Sequence, residues 1–369
     1  LKKHLAPHDT PAEVRVKMLA VCCGSDARID SVLEHLLADF AKGGDEETES
    51  GRLLQRADLN TFLWERVQRA YGYTSPNPGV QDFVIELFKS CYAMEVGGEK
   101  QLTNEATVFL KHWKDSQMHG EVFETLSAQC AGILAIKKDL EQRDYRDVLD
   151  TDYFELIDLK VLSELAVHVH NSTLSARECS QAIRQRRTSR WYGNYRHAYE
   201  AIDHGGQFLH ALKQTKVEIE SLEQGLAAYV ATQYRIDQLY RKFIYHCRQS
   251  HEPTLLEPLA REIRDRYTNT FLRPLGDQWQ RHVDALTSWE IPRAVSQHQF
   301  FTRRVGKFRE KQQKIVVVIS DALRFEAGEE LVSRIRQENR FEAELDHAIT
   351  KLPSYTQLGM AALLPHKQL

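Results

Sequence analysis

Over most of this chain apolar residues recur every three to four positions, which is the spacing of one face of an α-helix. The clearest stripe is Ile236, Leu239, Tyr240, Phe243, Ile244 and Cys247, at i, i+3, i+4, i+7, i+8 and i+11. That width suits core packing between helices. Near the start, Thr10-Pro11-Ala12-Glu13 combines a capping box with proline at the first helical position, ahead of the apolar run Val14 to Cys22. Comparable runs predict helices over 29–40, 61–71, 80–94, 106–113 and 122–140. The acidic "KGGDEETESG" (42–51) and the proline-containing "TSPNPG" (74–79) predict loops.

The pattern changes near residue 300. A basic run, "RRVGKFREKQQK" (303–314), leads into Ile315–Ile319, five consecutive apolar residues that predict a strand buried on both faces. A helix is expected near 326–337. "FEAELDHAI" (341–349) then alternates Phe341, Ala343, Leu345, His347 and Ile349 with a period of two. Strand, helix and strand in this order predict a βαβ unit with parallel strands. The fold class is therefore mainly α: a multi-helical region over 1–300, with a candidate division near 150–175, a basic linker over 301–313, and the β-α-β-α start of an α/β domain over 314–369. The chain begins at Leu1 and stops at Leu369 within a pattern, which suggests a piece of a longer protein.

Composition narrows the classes. Hydrophobic residues make up 42 % and charged residues 27 %, the balance of a globular protein, and no 18-residue apolar run predicts a membrane span. A net charge of −3 leaves nucleic-acid binding to local patches. Six cysteines without a CxxC pair predict reduced structural thiols and a cytoplasmic location.

In open parallel sheets, ligands bind beyond the carboxyl ends of strands, and Asp321 stands there. A carboxylate so placed suits a metal ion, or else caps the following helix. Thr356, after Pro353 and Ser354, opens a small-residue helix. A hydroxyl at a helix N-terminus is either a cap or a nucleophile beside a bound anion. Ser354 is better suited to a turn. His168 and His170, two apart, face different sides of a helix and are poor metal ligands. No GxxxxGK[ST], HExxH or GxSxG motif is present. "QAIRQRRTSRWYGNYRH" (181–197) carries five arginines with interleaved aromatics, and Arg186, Arg187, Arg190 and Arg196 are its candidate nucleic-acid contacts. The alternative is that these arginines pair with acidic helices.

Taken together, "VVVISDALRFE" and "LPSYTQLGMAALLPH" resemble the PglZ family, the alkaline-phosphatase-like phosphatases of BREX and phage-growth-limitation defence. "RRTSRWYGNYRHAYEAI", "YRIDQLYRKFIYH", "YTNTFLRPLGDQW" and "IPRAVSQHQFF" are similar to type A members. The resemblance implies a metal-dependent phosphoesterase. Asp321 matches a metal-ligand aspartate, Thr356 matches the nucleophile, and the cofactor is a divalent metal such as zinc. The superfamily's further ligands lie downstream of Leu369, so this chain by itself would be inactive. It also implies DNA as a candidate substrate and the BREX component BrxB as a partner. The alternative reading is a catalytically inert helical module that binds another BREX protein.

Overall fold

A computed structural model describes residues 2–43, 48–99 and 101–366. The helical reading holds along most of the chain. Pro11–Cys23 begins with the expected capping box: the Glu13 amide donates to Thr10 Oγ1 at 3.3 Å, and the Thr10 amide donates to Glu13 Oε2 at 2.7 Å. Ile29–Gly43, Asn60–Tyr71, Val80–Glu95 and Asn104–Lys114 follow. The run expected as one helix over 122–140 is two, Gly120–Ile133 and Ile136–Leu140, because Ala135 adopts the left-handed region at φ 51°. Of the loop expected at 42–51, residues 44–47 lie outside the described residues. Residues 49–51 belong instead to the helix Glu49–Arg56, where Thr48 Oγ1 accepts from the Gly51 amide at 3.1 Å. Among the described residues no helix is long and apolar enough to cross a membrane.

The chain forms two compact units, one of residues up to Val167 with Ser180–Tyr199, the other of His168–Cys179 with residues from Glu200 on. The first is built around aromatic rings. Trp113 meets Phe123 edge-on at 5.3 Å, and Phe88 lies 5.4 Å from Phe123 and 5.5 Å from Phe154. Buried charges in this unit are paired. Lys114 Nζ donates to both oxygens of Asp152 at 2.6 Å, and Arg186 pairs with Asp158, which also accepts from Tyr199 Oη at 2.6 Å. Burial pushes the thiols of Cys23, Cys91, Cys130 and Cys179 up to about 12, which keeps them inert, and all six cysteines are free.

The second unit contains the expected stripe on Tyr234–Gln249, with Ile236 and Phe243 buried. Its residues 315–319 and 341–349 are extended, but neither belongs to a sheet ladder among the described residues. The single bridge is parallel, between Ser296 and Ile349. This corrects the expected βαβ sheet. A strand is stabilised by backbone partners on its edges, and the two segments do not pair with each other. The side chains still alternate. Val316 and Val318 are 88 % and 87 % exposed, while Ile315, Val317 and Ile319 are 39–41 % exposed. The basic segment expected as a linker is helical, with a π turn at Phe301–Val305 and a short helix at Gly306–Glu310.

The expected helix near 326–337 is Phe325–Gln337, and two ion-pair clusters tie its start to Tyr234–Gln249. Glu326 is fully buried and accepts from Arg241 Nε at 2.9 Å; Arg241 Nη2 also reaches Glu330 Oε2 at 2.6 Å. Gln238 Nε2 donates to the Glu326 carbonyl at 3.1 Å. One residue before this helix, Arg324 Nη2 lies 3.3 Å from Asp237 Oδ2. Asp237 also accepts from Tyr229 Oη at 2.5 Å and Tyr267 Oη at 2.7 Å. Each tyrosine begins a π-helical turn, Tyr229–Gln233 and Tyr267–Leu272, a geometry that interrupts the regular side-chain spacing of a helix. Beyond the helix, Leu345 of the extended 341–349 segment packs at Gly328, where a Cβ would come within 3.1 Å of Leu345 Cδ1.

Glu330 reports on this clamp. Its partial burial works to raise its pKa, but hydrogen bonds from Arg241 and Arg334, with the charge of Lys242, hold it down at about 2 against an ordinary 4.5. A carboxyl depressed in the folded state stabilises above its unfolded pKa, and that stability fades as pH falls toward the folded value. The Tm difference between wild type and Glu330→Gln is therefore expected to be constant above pH 5 or so and to shrink between about 4.5 and 2. Thermal melts across that range check it, and a difference independent of pH would contradict the assignment.

Candidate functional site

The two residues singled out by sequence meet although 35 positions separate them. Thr356 Oγ1 donates to the Asp321 carboxylate, 3.2 Å from each oxygen. Asp321 follows the extended 315–319 segment and lies in a short loop. Its Oδ1 accepts from the Ala322 amide at 3.0 Å, and Ala322 has φ 51°. Left-handed backbone is strained for alanine, at a cost on the order of 1–3 kcal/mol, and such strain persists only where the surroundings fix it. Here the surroundings are Arg324 on Asp237 and Glu326 on Arg241, immediately downstream.

Neither residue serves the capping role that would have made it ordinary. The N-cap of Phe325–Gln337 is Arg324, not Asp321. The N-cap of Thr356–Leu363 is Tyr355, and Thr356 is the first helical residue. The hydroxyl therefore stands at the positive end of the helix, where amides without intrahelical partners favour an anion. The approach to this helix is fixed from the other side. Trp289 Nε1 donates to the Thr350 carbonyl at 2.8 Å, Thr350 Oγ1 donates to Gln297 Oε1 at 3.1 Å, and Gln297 Nε2 donates to the Gly359 carbonyl at 3.2 Å. The Ile349 amide donates to the Val295 carbonyl and the Gln297 amide to the Ile349 carbonyl, both at 2.8 Å.

Asp321 and Thr356 are both exposed, so a large substrate can reach them. They offer a carboxylate and a hydroxyl, hard oxygen donors of the kind divalent ions take. Zinc needs about four donors and magnesium about six. Among the described residues the one group of three His, Cys, Asp or Glu side chains close enough to share a metal ion is Glu200, His204 and His246, which includes neither. The donor set therefore fits part of a metal site.

The four arginines of the basic segment differ in place. Arg186 is 1 % exposed and corrects the expectation of nucleic-acid contact: besides Asp158, it donates to the Leu149 carbonyl at 2.9 Å and the Thr151 carbonyl at 2.7 Å. Arg190 is half-buried and engaged, donating to Glu124 Oε1 at 2.7 Å and to the Lys114 carbonyl at 3.3 Å. Arg187 and Arg196 are exposed. The neighbouring Trp191 is buried, with its Nε1 donating to the Asp152 carbonyl at 3.0 Å. His168 and His170 are separately engaged, His168 Nδ1 with Thr173 Oγ1 at 2.8 Å and His170 Nδ1 with Glu262 at 2.7 Å.

The residues that hold the pair were not visible from motifs. Asp237 and Arg241 lie at i and i+4 on the same helix as the apolar stripe, a charged flank that could have signalled a docking edge.

Residues 300–369 match the family model for the BREX system PglZ alkaline phosphatase-like domain. Over its full length the chain is 27 % identical to the alkaline phosphatase-like protein BrxZ of Escherichia coli O9:H4 (strain HS), covering 46 % of that protein. It is 25 % identical to the alkaline phosphatase-like protein PglZ of Bacillus cereus (strain H3081.97), covering 44 %. The chain thus spans about half the length of these curated relatives. No solved structure matches. The domain match covers both halves of the Asp321–Thr356 contact, and over its length the chain is similar to these BREX alkaline phosphatase-like proteins.

Proposed function

We propose that Asp321 and Thr356 are the metal-ligand carboxylate and the nucleophile of a phosphoesterase acting in a BREX defence system in the cytoplasm. The direct contact of hydroxyl with carboxylate at a helix N-terminus carries this reading. A divalent ion such as zinc, held in part by Asp321 and Thr356, would lower the hydroxyl's pKa and offset phosphoryl charge. The Thr356 oxygen then bonds to phosphorus while its proton leaves toward Asp321, the acceptor it already faces. The ester oxygen departs with the electrons of the broken P–O bond. Water hydrolyses the resulting phosphothreonine and restores the hydroxyl. The free amides of Thr356–Leu363 favour the phosphoryl oxygens. A phosphodiester such as DNA is the leading substrate class, because both residues are exposed to a bulky ligand.

The full-length protein, supplied with zinc, should hydrolyse a bis-nitrophenyl phosphodiester. Asp321→Ala and Thr356→Ala should each lower kcat by about three orders of magnitude or more. Unchanged rates in both variants would refute the assignment, and activity on the monoester alone would move the substrate class.

A second role concerns the unit made of residues up to Val167 and Ser180–Tyr199. It contains neither Asp321 nor Thr356, and Val108, Met118 and Ile133 are exposed on it. We infer that it binds another BREX component, with BrxB the candidate. Size-exclusion chromatography of this chain mixed with BrxB should shift both proteins to a common earlier elution, and independent elution would count against binding.

A further inference from the structure

The helices carry a second cluster of metal-ligating residues. Glu200 and His204 lie one turn apart on Tyr192–Gln214, an i, i+4 spacing that puts both on one face. His246 comes from Tyr234–Gln249. One ligand atom from each of the three lies within 4.8 Å of the other two. The His204 and His246 rings are 5.4 Å apart between centroids and tilted by 36°. Gly205 lets these helices approach: a Cβ there would come within 3.3 Å of the Phe243 ring, three residues before His246.

We propose that Glu200, His204 and His246 form a zinc site that staples these two helices together, separate from Asp321 and Thr356. Two imidazoles and a carboxylate are a donor set that zinc takes, leaving a fourth position for water. Donor atoms around a tetrahedral zinc lie about 3.4 Å apart, so small side-chain rotations close the set. Buried polar atoms are almost always hydrogen-bonded, yet His204 Nδ1 is buried with no hydrogen-bond partner. A metal ion would satisfy it.

The test uses this chain, stripped of metal with a chelator and titrated with Co²⁺ by visible absorption and with Zn²⁺ by calorimetry. One ion per chain is expected, with the d–d bands of a four-coordinate site and a rise in Tm on zinc addition. The Asp321→Ala/Thr356→Ala double variant should retain both signals. His246→Ala should lose them, as should Glu200→Gln, which guards against misfolding of the histidine variant; each should match the metal-free wild type by circular dichroism. No stoichiometric binding to wild type would overturn the proposal. So would binding that survives both variants, or binding lost only in the Asp321/Thr356 variant.

Discussion

Two buried carboxylates control where the candidate site forms. Asp237 is held by Tyr229, Tyr267 and Arg324, and Glu326 is held by Arg241 and Gln238. Both sets join Tyr234–Gln249 to the stretch just after Asp321. Both carboxylates are buried while Arg241 and Arg324 keep side-chain exposures of 41 % and 56 %, so removing an arginine leaves a buried charge with fewer partners. Such an arrangement holds one geometry firmly and tolerates few others. It fixes the backbone that leaves Asp321 in contact with Thr356, including the left-handed Ala322.

The same view explains why the helical region and the phosphatase-like segment share one compact unit. The apolar strand expected at 315–319 lacks ladder partners among the described residues, so sheet formation does not organise this segment. The helix Phe325–Gln337 docks through charge and hydrogen bonds, Leu345 packs on Gly328, and Ser296 bridges Ile349. Helices therefore do here what neighbouring strands do in a finished sheet: they position the loop at the strand's end. Val316 and Val318 remain exposed on one side of 315–319, and Ile315, Val317 and Ile319 are partly exposed on the other.

Much of this was legible in the sequence because its signals are local. The Thr10 capping box, the stripe from Ile236 to Cys247 and the period of two over 341–349 each involve residues within a dozen positions of one another. Asp321 and Thr356 were also legible, since their place after an apolar run and at a helix start follows from local pattern. What was not legible depends on long-range pairing. Nothing near Arg186 announces which carboxylate lies against it, so the arginine-rich stretch leaves nucleic-acid contact and pairing with acidic helices both open, and Asp158 decides for pairing. The pairing of Asp237 with Arg324, and the approach of His204 to His246, likewise join residues that no periodicity connects. Backbone partners for 315–319 are the same kind of fact, and there the pattern predicted a ladder that the described residues do not form.

The central claim, that the Asp237 and Glu326 clusters hold Asp321 against Thr356, is open to one direct measurement. With Asp321→Cys and Thr356→Cys installed together, mild oxidation should bridge the two positions, and the native buried thiols are too weakly acidic to compete. Adding Asp237→Asn or Arg241→Ala should slow that bridging markedly while the first unit keeps its stability. Failure to form the bridge, or bridging at an unchanged rate in both clamp variants, would contradict the account.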